Sequence, residues 1–371
     1  MHILFLSRSL HRGGAERQLV TLANGLSQRG HTVSIALFYA GGPLEADLQP
    51  AITLHHLGKT GRWDLISFGW RLLQLVRRLR PDVLHSYMAI PNNMAILLKV
   101  FAGRVRVVWS IRSAFMDVQK YGKVAQASYW LERKLSRFAD AIIFNSHAGK
   151  LNALHNGFSA RHTHVIPNGI DVDRFLPSPT TRQETRTAWG VDKSHLLIGV
   201  VARLDLMKDH PTFLSAAALL VQAFPQARFA CVGGGPVAYQ QQLQQMAADL
   251  GIAQYVSWIE AQSDMPAVYS ALDILCSASY GEGFSNVIAE AMACGVPCVV
   301  TDVGDSAWIV GDTGEVVPAQ DAHALAAGLQ RALNALQTDP GRGQKARQRI
   351  QEIASIGSLL DATEAVLWPS A

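Results

Sequence analysis

Short runs of apolar residues alternate along the first half of the chain with stretches in which apolar residues recur every three or four positions. A short apolar run is typical of a buried strand, and the longer period is that of an amphipathic helix. The pattern predicts strands over 2–7, 31–37, 83–86, 105–109 and 140–144 and helices over 14–29, 62–79, 119–137 and 146–155. Strands that alternate with helices indicate a parallel sheet with helices on both faces.

The second half of the chain repeats this alternation after a break. Residues 177–184 are polar, contain two prolines and lack periodicity, so we interpret them as a linker. Strands are then predicted over 196–201, 227–232, 254–258, 273–276 and 298–301, and the residues after 321 have a helical pattern. The predicted fold class is therefore α/β, with two doubly wound, Rossmann-like domains that face each other.

Composition agrees with a folded protein of this size. The chain has 371 residues, of which 49% are hydrophobic and 17% charged, so it can form two cores and is too apolar for general disorder. No spacing typical of zinc sites or of a disulfide framework connects Cys231, Cys276, Cys294 and Cys298, which favours the reducing cytoplasm. We predict neither a secretory signal nor a membrane-spanning helix, because the chain lacks the required apolar segments.

Charge is divided unevenly between the two halves. Residues 1–176 contain 22 Lys and Arg against 10 Asp and Glu, a net charge of +12. Residues 177–371 contain 11 against 19, a net charge of −8. The overall charge of +4 hides this asymmetry. A basic first half predicts an anionic partner: nucleic acid, a membrane surface or a phosphate-bearing substrate.

The loops that follow the strands are where chemistry is expected, because ligands of open α/β sheets bind beyond the carboxyl ends of the strands. After the first strand, residues 11–17 (HRGGAER) open a helix. The paired Gly13 and Gly14 let backbone N–H groups converge on an anion at the positive end of this helix. The motif is neither a dinucleotide fingerprint nor a P-loop. A tight structural turn explains it equally well.

A second candidate follows the strand over 196–201. Arg203 and Lys208 lie on a short connection to the next helix, from which both side chains could reach one ligand. The guanidinium offers a planar fork to phosphate oxygens and the ammonium a compact charge. Together they could neutralise a diphosphate leaving group without a metal ion. For an isolated pair, two solvated loop cations are the alternative interpretation.

Three glycines, Gly233 to Gly235, end the strand over 227–232. Glycine permits a close approach between the backbone and a ligand. We assign this role to Gly233 and interpret the other two as the turn into the next helix.

The strongest motif is GEGFSNVIAEAMACGVP over 281–297. Ser285 or Asn286 can cap a helix that runs to Cys294 and stops at Gly295. The backbone amides between Gly283 and Val287 then form a helix N-terminus suited to phosphate. The carboxylates of Glu282 and Glu290 lie on either side of that anion site, which indicates a ligand with hydroxyl groups both beyond and before its phosphates. A buried structural role for Glu290 is the alternative, although its neighbours in the sequence offer it no partner.

These motifs resemble those of the retaining glycosyltransferases of family 4, which have the two-domain GT-B fold. The matching segments occur in family order and span about residues 3–320: GGAER at 13–17, VIPNGID at 165–171, Arg203 with Lys208, the block from Glu282 to Pro297, and TDVGD at 301–305. The resemblance implies an N-terminal acceptor domain over 1–176 and a donor domain over 177–356 across a cleft. It also implies that a C-terminal helix, within 357–371, crosses back to the first domain.

The resemblance also implies roles for single residues. Arg203 and Lys208 would hold the diphosphate of a nucleotide-sugar, Glu282 the hydroxyls of the transferred sugar, and Glu290 the ribose. Other donor contacts would come from Gly14, from Gly283, Phe284, Ser285 and Asn286, and from the adjoining Val287. We assign to the acceptor side the residues Gly13, Glu16, His85 and Asn168. Because relatives of this kind generally need no divalent metal, we expect no metal and no cofactor.

One position departs from the family pattern. Many relatives have a catalytic-site histidine after the strand that corresponds to 107–110, and this chain has Arg112 there. A branch that makes surface polysaccharides shares the Ile-Arg pattern. Arginine does not act as a base at neutral pH, so Arg112 is expected to bind sugar or phosphate. His85 is the other candidate there, with a hydrogen-bonded strand-end histidine as the structural alternative.

The resemblance implies retaining transfer of a hexose or N-acetylhexosamine to a glycan hydroxyl. We expect UDP as the nucleotide, with GDP next, and a lipid-linked acceptor in the synthesis of a cell-surface polysaccharide. Basic residues mix with aromatic residues over 62–80 and 120–137, a pattern suited to anionic lipids. A core-facing stripe with a solvated cationic face is the alternative. We therefore expect a cytoplasmic protein, peripheral on the inner face of the membrane.

Two other functions remain open at this point. Another GT-B enzyme, such as a sugar-nucleotide epimerase, would share the donor site, whereas a glucan phosphorylase would need a pyridoxal-binding lysine that the second half does not offer. A basic nucleic-acid-binding module would show stacking platforms or a helix-turn-helix, and neither is evident. We therefore predict no nucleic-acid partner.

Overall fold

The computed structural model describes residues 1–11, 13–61, 64, 66–112 and 122–369. The chain forms two compact units. The first consists of residues 1–169 together with residues from 356 onward, and the second of residues 170–355. The chain thus passes between units at Gly169 and Ile170, seven residues before the predicted boundary at 176. The return is at 355–356, next to the predicted one.

Seven strands of the described residues form the parallel sheet of the first unit, in the order β3-β2-β1-β4-β5-β6-β7. Parallel strands need crossover connections, and helices supply most of them here. The strands are β1 His2–Ser7, β2 Thr32–Leu37, β3 Thr53–His56, β4 Val83–Tyr87, β5 Arg106–Ile111, β6 Ala141–Phe144 and β7 Thr163–Val165. The helices are α1 Gly14–Gln28, α2 Ile66–Leu79, α3 Ala89–Ala102, α4 Lys123–Leu135, α5 His147–His155 and, at the end of the chain, α14 Ile356–Leu367.

Helix α14 packs on α1. Leu360 lies so close to Gly25 that a β-carbon there would collide with it. Arg29 of the following turn pairs with Asp361 at 2.7 Å and also with Glu364. Trp368 stacks on His31 with ring centroids 4.8 Å apart. Two chain segments that are far apart in the sequence therefore build one face of the first unit. The predicted helix segment was 357–371, and its residues 370 and 371 lie outside the described part of the chain.

The second unit contains a parallel sheet of six strands, counted over the described residues, in the order β10-β9-β8-β11-β12-β13. The strands are β8 Leu196–Val201, β9 Ala227–Val232, β10 Val256–Ile259, β11 Ile274–Ser277, β12 Cys298–Thr301 and β13 Glu315–Val317. The helices are α6 Pro179–Ala188, α7 His210–Ala223, α8 Val237–Asp249, α9 Met265–Ala271, α10 Asn286–Ala293, α11 Ser306–Val310, α12 Ala322–Thr338 and α13 Arg342–Ala354. Both units therefore have the predicted doubly wound α/β architecture.

The predicted linker over 177–184 is wrong, because these residues begin helix α6. Ser178 caps it by accepting from the Thr181 N–H, and Pro179 takes the first helical position, where a missing N–H costs nothing. Cations rather than an apolar stripe hold the helix. Arg186 is buried and bonds to the carbonyl of Ala271 and to Asp273. Apolar periodicity in the sequence did not indicate this helix, because the side chains that hold it in place are charged.

Two helices begin later than predicted within the described residues. Helix α2 begins at Ile66, and the predicted residues Arg62 and Trp63 lie outside the described part of the chain. Helix α4 begins at Lys123, and Lys120 likewise falls in the undescribed segment 113–121. Strand β3 was not predicted, because His55 and His56 break its apolar run. Over the described residues, no helix is both long and apolar enough to cross a bilayer.

Candidate functional site

The loops after β8, β11 and β12 meet at the carboxyl edge of the second sheet, because these strands are neighbours in it. The backbone ties the loops together. The Tyr280 N–H donates to the Met207 carbonyl at 3.0 Å, and the Asp305 N–H donates to the Gly283 carbonyl at 3.0 Å. The sequence motifs around Lys208, Glu282 and Asp305 therefore form one site.

Lys208 and Glu282 form an ion pair at the centre of this site. Lys208 Nζ lies 2.6 Å from Glu282 Oε1, and both side chains are largely buried. Lys208 ends a single turn of 3₁₀ helix over Leu206–Lys208, which Asp205 caps through the Met207 N–H. The two residues predicted to bind diphosphate and sugar are therefore already in contact.

Ser279 and Thr301 hold Glu282 from behind. Ser279 Oγ donates to Glu282 Oε1 at 2.8 Å, and Thr301 Oγ1 donates to the Ser279 carbonyl. Both side chains are buried. Thr301 belongs to the TDVGD segment quoted from the sequence, although no role was assigned to it. Ser279 was not predicted, since a lone serine near a strand end gives no signal.

Arg203 stands apart from this pair. Its side chain is 80% exposed, and its guanidinium lies 3.7 Å from Asp205. The structure therefore brings Lys208 to Glu282 and leaves Arg203 extended into solvent, where it can turn toward an arriving anion.

Helix α10 begins beside Glu282, as predicted. Ser285 takes the cap position, although its side chain makes no capping bond, and Asn286 and Val287 form the first turn. Phe284 is buried in the core beneath. Gly295 ends the helix with a φ of +74°. The helix N-terminus points its amides toward the loop of Gly283, an arrangement that favours anions.

Glu290 has a hydrogen-bond partner that lies far from it in the sequence. Tyr269 Oη donates to Glu290 Oε2 at 2.7 Å, and burial raises the pKa of Tyr269 well above its usual range. Tyr269 lies on α9, so local sequence gave no sign of it. The hydrogen bond fixes one carboxylate oxygen of Glu290.

Gly233 has a structural reason to be glycine, which differs from the predicted ligand contact. Its φ is +144°, and a β-carbon there would collide with the Ala202 carbonyl. Gly235 lies equally close to Leu204. These glycines let the loops after β8 and β9 pack together, and they hold the Arg203 loop in place.

A second polar cluster lies at the carboxyl edge of the first sheet, around Arg112. Its guanidinium donates to Asn168 Oδ1 and to Tyr87 Oη, each at 3.1 Å, and to Ser110 Oγ at 3.3 Å. It also lies over the Tyr87 ring, 5.0 Å from the centroid. The structure thus unites the predicted Arg112 and Asn168 and adds Tyr87 and Ser110, which the sequence analysis did not single out.

His85 does not lie open to a ligand, which corrects its assignment to the acceptor side. It is fully buried, and its Nε2 lies 2.9 Å from Ser110 Oγ. Burial and the neighbouring Arg112 lower the pKa of His85 to about 3. The hydrogen-bonded strand-end histidine is therefore the correct interpretation, and the imidazole is neutral at physiological pH.

The N-terminus of α1 carries Gly13 and Gly14 as predicted, with Gly13 at the cap position. The Glu16 carboxylate folds back over Gly13 and occupies the space that a side chain there would take. Gln18, one turn later, exchanges two hydrogen bonds with the backbone of Gly169, at 2.9 and 3.0 Å. These bonds lock the segment of Asn168 to α1. His11 is described and Arg12 of the same motif is not.

No group of three or more His, Cys, Asp or Glu side chains that could hold a metal ion occurs among the residues the structure describes. The four cysteines are buried and free. Burial raises the pKa of Cys231 and Cys294 to about 12, so neither is a thiolate at neutral pH.

Comparison with solved structures defines the class of the fold. Alr3699/HepE of Anabaena, solved in complex with UDP, is 24% identical with a TM-score of 0.86 and 99% coverage of both chains. A sucrose-phosphate synthase of Thermosynechococcus elongatus is 20% identical with a TM-score of 0.81 and 98% coverage of both chains. The two units therefore have the GT-B fold of glycosyltransferases.

Family models narrow this class. Residues 12–174 match the model "Glycosyltransferase Family 4", and residues 195–335 match "Glycosyl transferases group 1". The chain therefore belongs to glycosyltransferase family 4, a family of transferases, and the resemblance seen in the sequence is confirmed.

Two curated relatives add detail. A D-inositol 3-phosphate glycosyltransferase of Mycobacterium sp. (strain KMS) is 35% identical over 54% of this chain and 47% of its own length. A GDP-mannose-dependent alpha-(1-6)-phosphatidylinositol monomannoside mannosyltransferase of Mycolicibacterium smegmatis is 32% identical over 57% of this chain and 56% of its own length. The matched region thus spans only about half the length of these relatives.

Proposed function

We propose that the chain transfers a hexose or N-acetylhexosamine from a nucleoside-diphosphate sugar to a hydroxyl of a glycan acceptor, with retention of configuration. The contact between Lys208 and Glu282 at the N-terminus of α10 carries this proposal. It joins a cation for the leaving phosphate to a carboxylate that can accept from sugar hydroxyls.

Lys208 and Arg203 bind the diphosphate in this proposal. Lys208 exchanges part of its contact with Glu282 for a phosphate oxygen, and Arg203 folds in from solvent. The amides of Gly283 to Val287 at the start of α10 add the helix dipole. The charges that develop on the leaving group are then met by groups already in place.

Glu282 and Glu290 bind hydroxyl groups on the two sides of the diphosphate. Glu282 Oε1 is occupied by Lys208 and Ser279, so its second oxygen is the one offered to the transferred sugar. Glu290, oriented by Tyr269, is offered to the ribose. The Tyr269 contact supports this role, because it fixes one oxygen and directs the other.

For the chemical step we propose attack from the face that the diphosphate leaves. The bond between the anomeric carbon and the diphosphate breaks through an oxocarbenium-like state as the acceptor oxygen approaches. The departing diphosphate takes the proton of the acceptor hydroxyl. Positioning and charge stabilisation then supply most of the rate enhancement. No metal or cofactor enters this scheme.

The nucleotide is proposed to be UDP, with GDP second. The UDP complex of Alr3699/HepE favours the first, and the GDP-mannose-dependent relative favours the second. Thermal-shift titration with UDP, GDP and a panel of their sugars separates the two. If calorimetry detects no uptake of any nucleotide-sugar or nucleoside diphosphate, the proposed transfer is excluded.

The acceptor is proposed to carry a phosphate group, with a lipid-linked glycan of cell-surface polysaccharide synthesis as our first choice. Arg112 supports this choice, because its partners among the described residues are uncharged and none of them neutralises its positive charge. Gly13, Glu16 and Asn168 are the further acceptor candidates on this unit. The names of the curated relatives point to phosphorylated inositols as the alternative acceptor. Incubating the chain with a labelled sugar donor and each acceptor type, then identifying the anomeric configuration of the product by NMR, tests acceptor and retention together.

The last part of the proposal is that the chain binds to the cytoplasmic face of a membrane. The two basic helices predicted to contact the lipid, α2 and α4, are only partly suited to do so. In α2, Leu73 and Val76 face the core, while Ile66 and Trp70 are exposed. In α4, Trp130 is exposed and Tyr129 is half-buried against Phe158. Flotation with anionic vesicles tests the association.

A further inference from the structure

Helix α3 has an exposed face without a polar side chain. Its most exposed positions are Ile90, Leu97, Val100 and Phe101, which we call the α3 apolar face. Val100 is 82% exposed and Phe101 59% exposed. The last three recur at i, i+3 and i+4 and therefore share one side of the helix. A surface helix normally turns charged or polar residues outward, so this face indicates a partner.

A cavity of about 520 Å³ adjoins this face at the C-terminal ends of α2 and α3. Phe101 forms part of its wall, together with three exposed arginines, Arg77, Arg80 and Arg104. We call this the arginine cavity. Arg77 Nε donates to the Phe101 carbonyl at 3.1 Å, which ties the cavity to the apolar face.

The charge of the arginine cavity selects an anionic ligand. The one acidic side chain among its lining residues is Asp82, whose carboxylate accepts from the His2 N–H at 2.8 Å. The lining of the arginine cavity thus carries three positive guanidinium groups and one negative carboxylate. Guanidinium groups bind phosphate oxygens through paired N–H donors. The cavity lies at the amino ends of β4 and β5, the edge of the sheet opposite to Arg112.

We propose that the α3 apolar face and the arginine cavity form a docking surface for an anionic lipid bilayer. Phe101 and Val100 enter the interface, and the three arginines bind lipid phosphates. This inference rests on the proposed function in one respect, which is that a lipid-linked acceptor brings the chain to a membrane. It assigns the contact to a helix that the sequence analysis did not consider.

Charge complementarity favours a bilayer over a second copy of the chain. A symmetric contact through this face would bring two copies of the same arginine cluster to one interface. An anionic surface instead attracts all three arginines and receives the exposed aromatic ring at headgroup depth.

The test is flotation of the full chain with vesicles of phosphatidylcholine alone or mixed with phosphatidylglycerol. We expect binding to the mixed vesicles at low salt and its loss at high salt. The double variant Val100→Ser/Phe101→Ser should lower the partition coefficient by about a hundredfold. Replacing Arg77, Arg80 and Arg104 by Gln should lower it by a similar factor on mixed vesicles only.

Matched control variants distinguish vesicle binding through this surface from nonspecific adsorption of the protein. Leu151→Ser removes an apolar side chain of similar exposure from α5 of the same unit. Replacing the exposed Arg161, Arg174 and Lys193 by Gln removes the same charge elsewhere. Both controls should bind vesicles like the unaltered chain. The docking surface is refuted if the controls lose as much binding as the patch variants, or if neutral and anionic vesicles bind equally.

Two further measurements complete the design. Light scattering detects a dimer; if the Val100→Ser/Phe101→Ser variant dissociates one and no form of the chain floats, the face is a self-contact and the proposal is wrong. Thermal shift with UDP and GDP reports the donor site and should be unchanged in every patch variant. If the chain floats with anionic vesicles but binds no nucleotide, the docking surface stands and the proposed function is wrong. If it binds a nucleotide but does not float, the proposed donor site stands and the docking surface is wrong.

Discussion

The two units hold their candidate cations in opposite ways. In the first unit, Arg112 is held by uncharged groups of Tyr87, Ser110 and Asn168 at 3.1 to 3.3 Å. In the second unit, Lys208 is held by a carboxylate, 2.6 Å away on Glu282. Both arrangements fix a cation at the carboxyl edge of a parallel sheet.

The difference lies in the net charge that each site offers. Uncharged acceptors orient a guanidinium and leave its positive charge available to an anion. A carboxylate neutralises the ammonium, so an incoming phosphate must compete for it. The first site is therefore suited to steady attraction of an anionic group, and the second to an exchange of partners when a ligand arrives. The following experiments test this contrast.

The largest effect is expected at the second site. Lys208→Ala and Arg203→Ala should each cost about 2.7–4 kcal/mol in the barrier, because each removes a charge that we propose for the leaving diphosphate. The measurement is kcat/KM with the preferred nucleotide-sugar. Lys193→Ala, an exposed cation of the same unit, is the control and should leave the rate unchanged. A loss below about fivefold in both variants would contradict the assignment.

A smaller effect is expected at the first site. Arg112→Lys keeps the charge and loses the fork that reaches three acceptors, so we expect a cost of about 1.5–3 kcal/mol in kcat/KM. The affinity for the nucleotide alone, measured by calorimetry, should stay the same. Arg174→Lys on the protein surface serves as the matched control. If Arg112→Lys weakens nucleotide binding instead, the two sites do not divide donor and acceptor as proposed.

The third test uses pH. The folded pKa of His85 is about 3, below the unfolded value of about 6.5, so the unfolded chain binds a proton that the folded chain excludes. Stability from this group is complete above pH 6.5 and is lost as the pH falls toward 3. At pH 5 the loss amounts to about 2 kcal/mol. The measurement is the free energy of unfolding by chemical denaturation at pH 7.5 and at pH 5. The variant His85→Gln should lack this decrease in stability between the two pH values.

Glu132 of the same unit also titrates in this pH range, both in the unaltered chain and in the His85→Gln variant, since burial raises its pKa to about 7. Only the difference between the unaltered chain and His85→Gln is therefore informative. Equal pH dependence in the two would show that the imidazole beside Arg112 is not held neutral.

The smallest effect is expected from the residue that orients Glu282. Ser279→Ala removes one hydrogen bond to the carboxylate and should cost about 1 kcal/mol in kcat/KM. Ser277→Ala is the control, because Ser277 contributes its carbonyl to this network. If Ser279→Ala alters thermal stability alone and leaves the kinetics unchanged, Ser279 is structural and Lys208 suffices to fix Glu282.

The fold could be predicted to a large extent, because buried parallel strands are continuous apolar runs and β1, β8 and β12 stand out as such. Two of the missed elements are held by polar or charged residues. Strand β3 contains two histidines, and α6 is anchored by Arg186 rather than by an apolar stripe. Apolar periodicity gives no sign of elements anchored in this way.

The candidate site was predictable in its charged members and not in the groups that hold them. Lys208, Glu282 and Arg112 follow strands, and topology alone brings each of them to the carboxyl edge of its own sheet. Ser279, Tyr87 and Tyr269 were missed, since their roles depend on partners on other elements or across the sheet. The burial of His85 was open to prediction, because it directly follows the apolar Val83 and Leu84 in a central strand.

The packing of α14 on α1 bears on the order in which the chain can fold during synthesis. The first unit needs residues from 356 onward, so it cannot be complete until the whole of the second unit has been translated. The second unit is one continuous segment and can close earlier. Until then, the side of α1 around Gly25 lacks its cover from Leu360. The half that is translated first is thus the last to mature, and a nascent chain stalled before α14 would expose a surface that chaperones recognise.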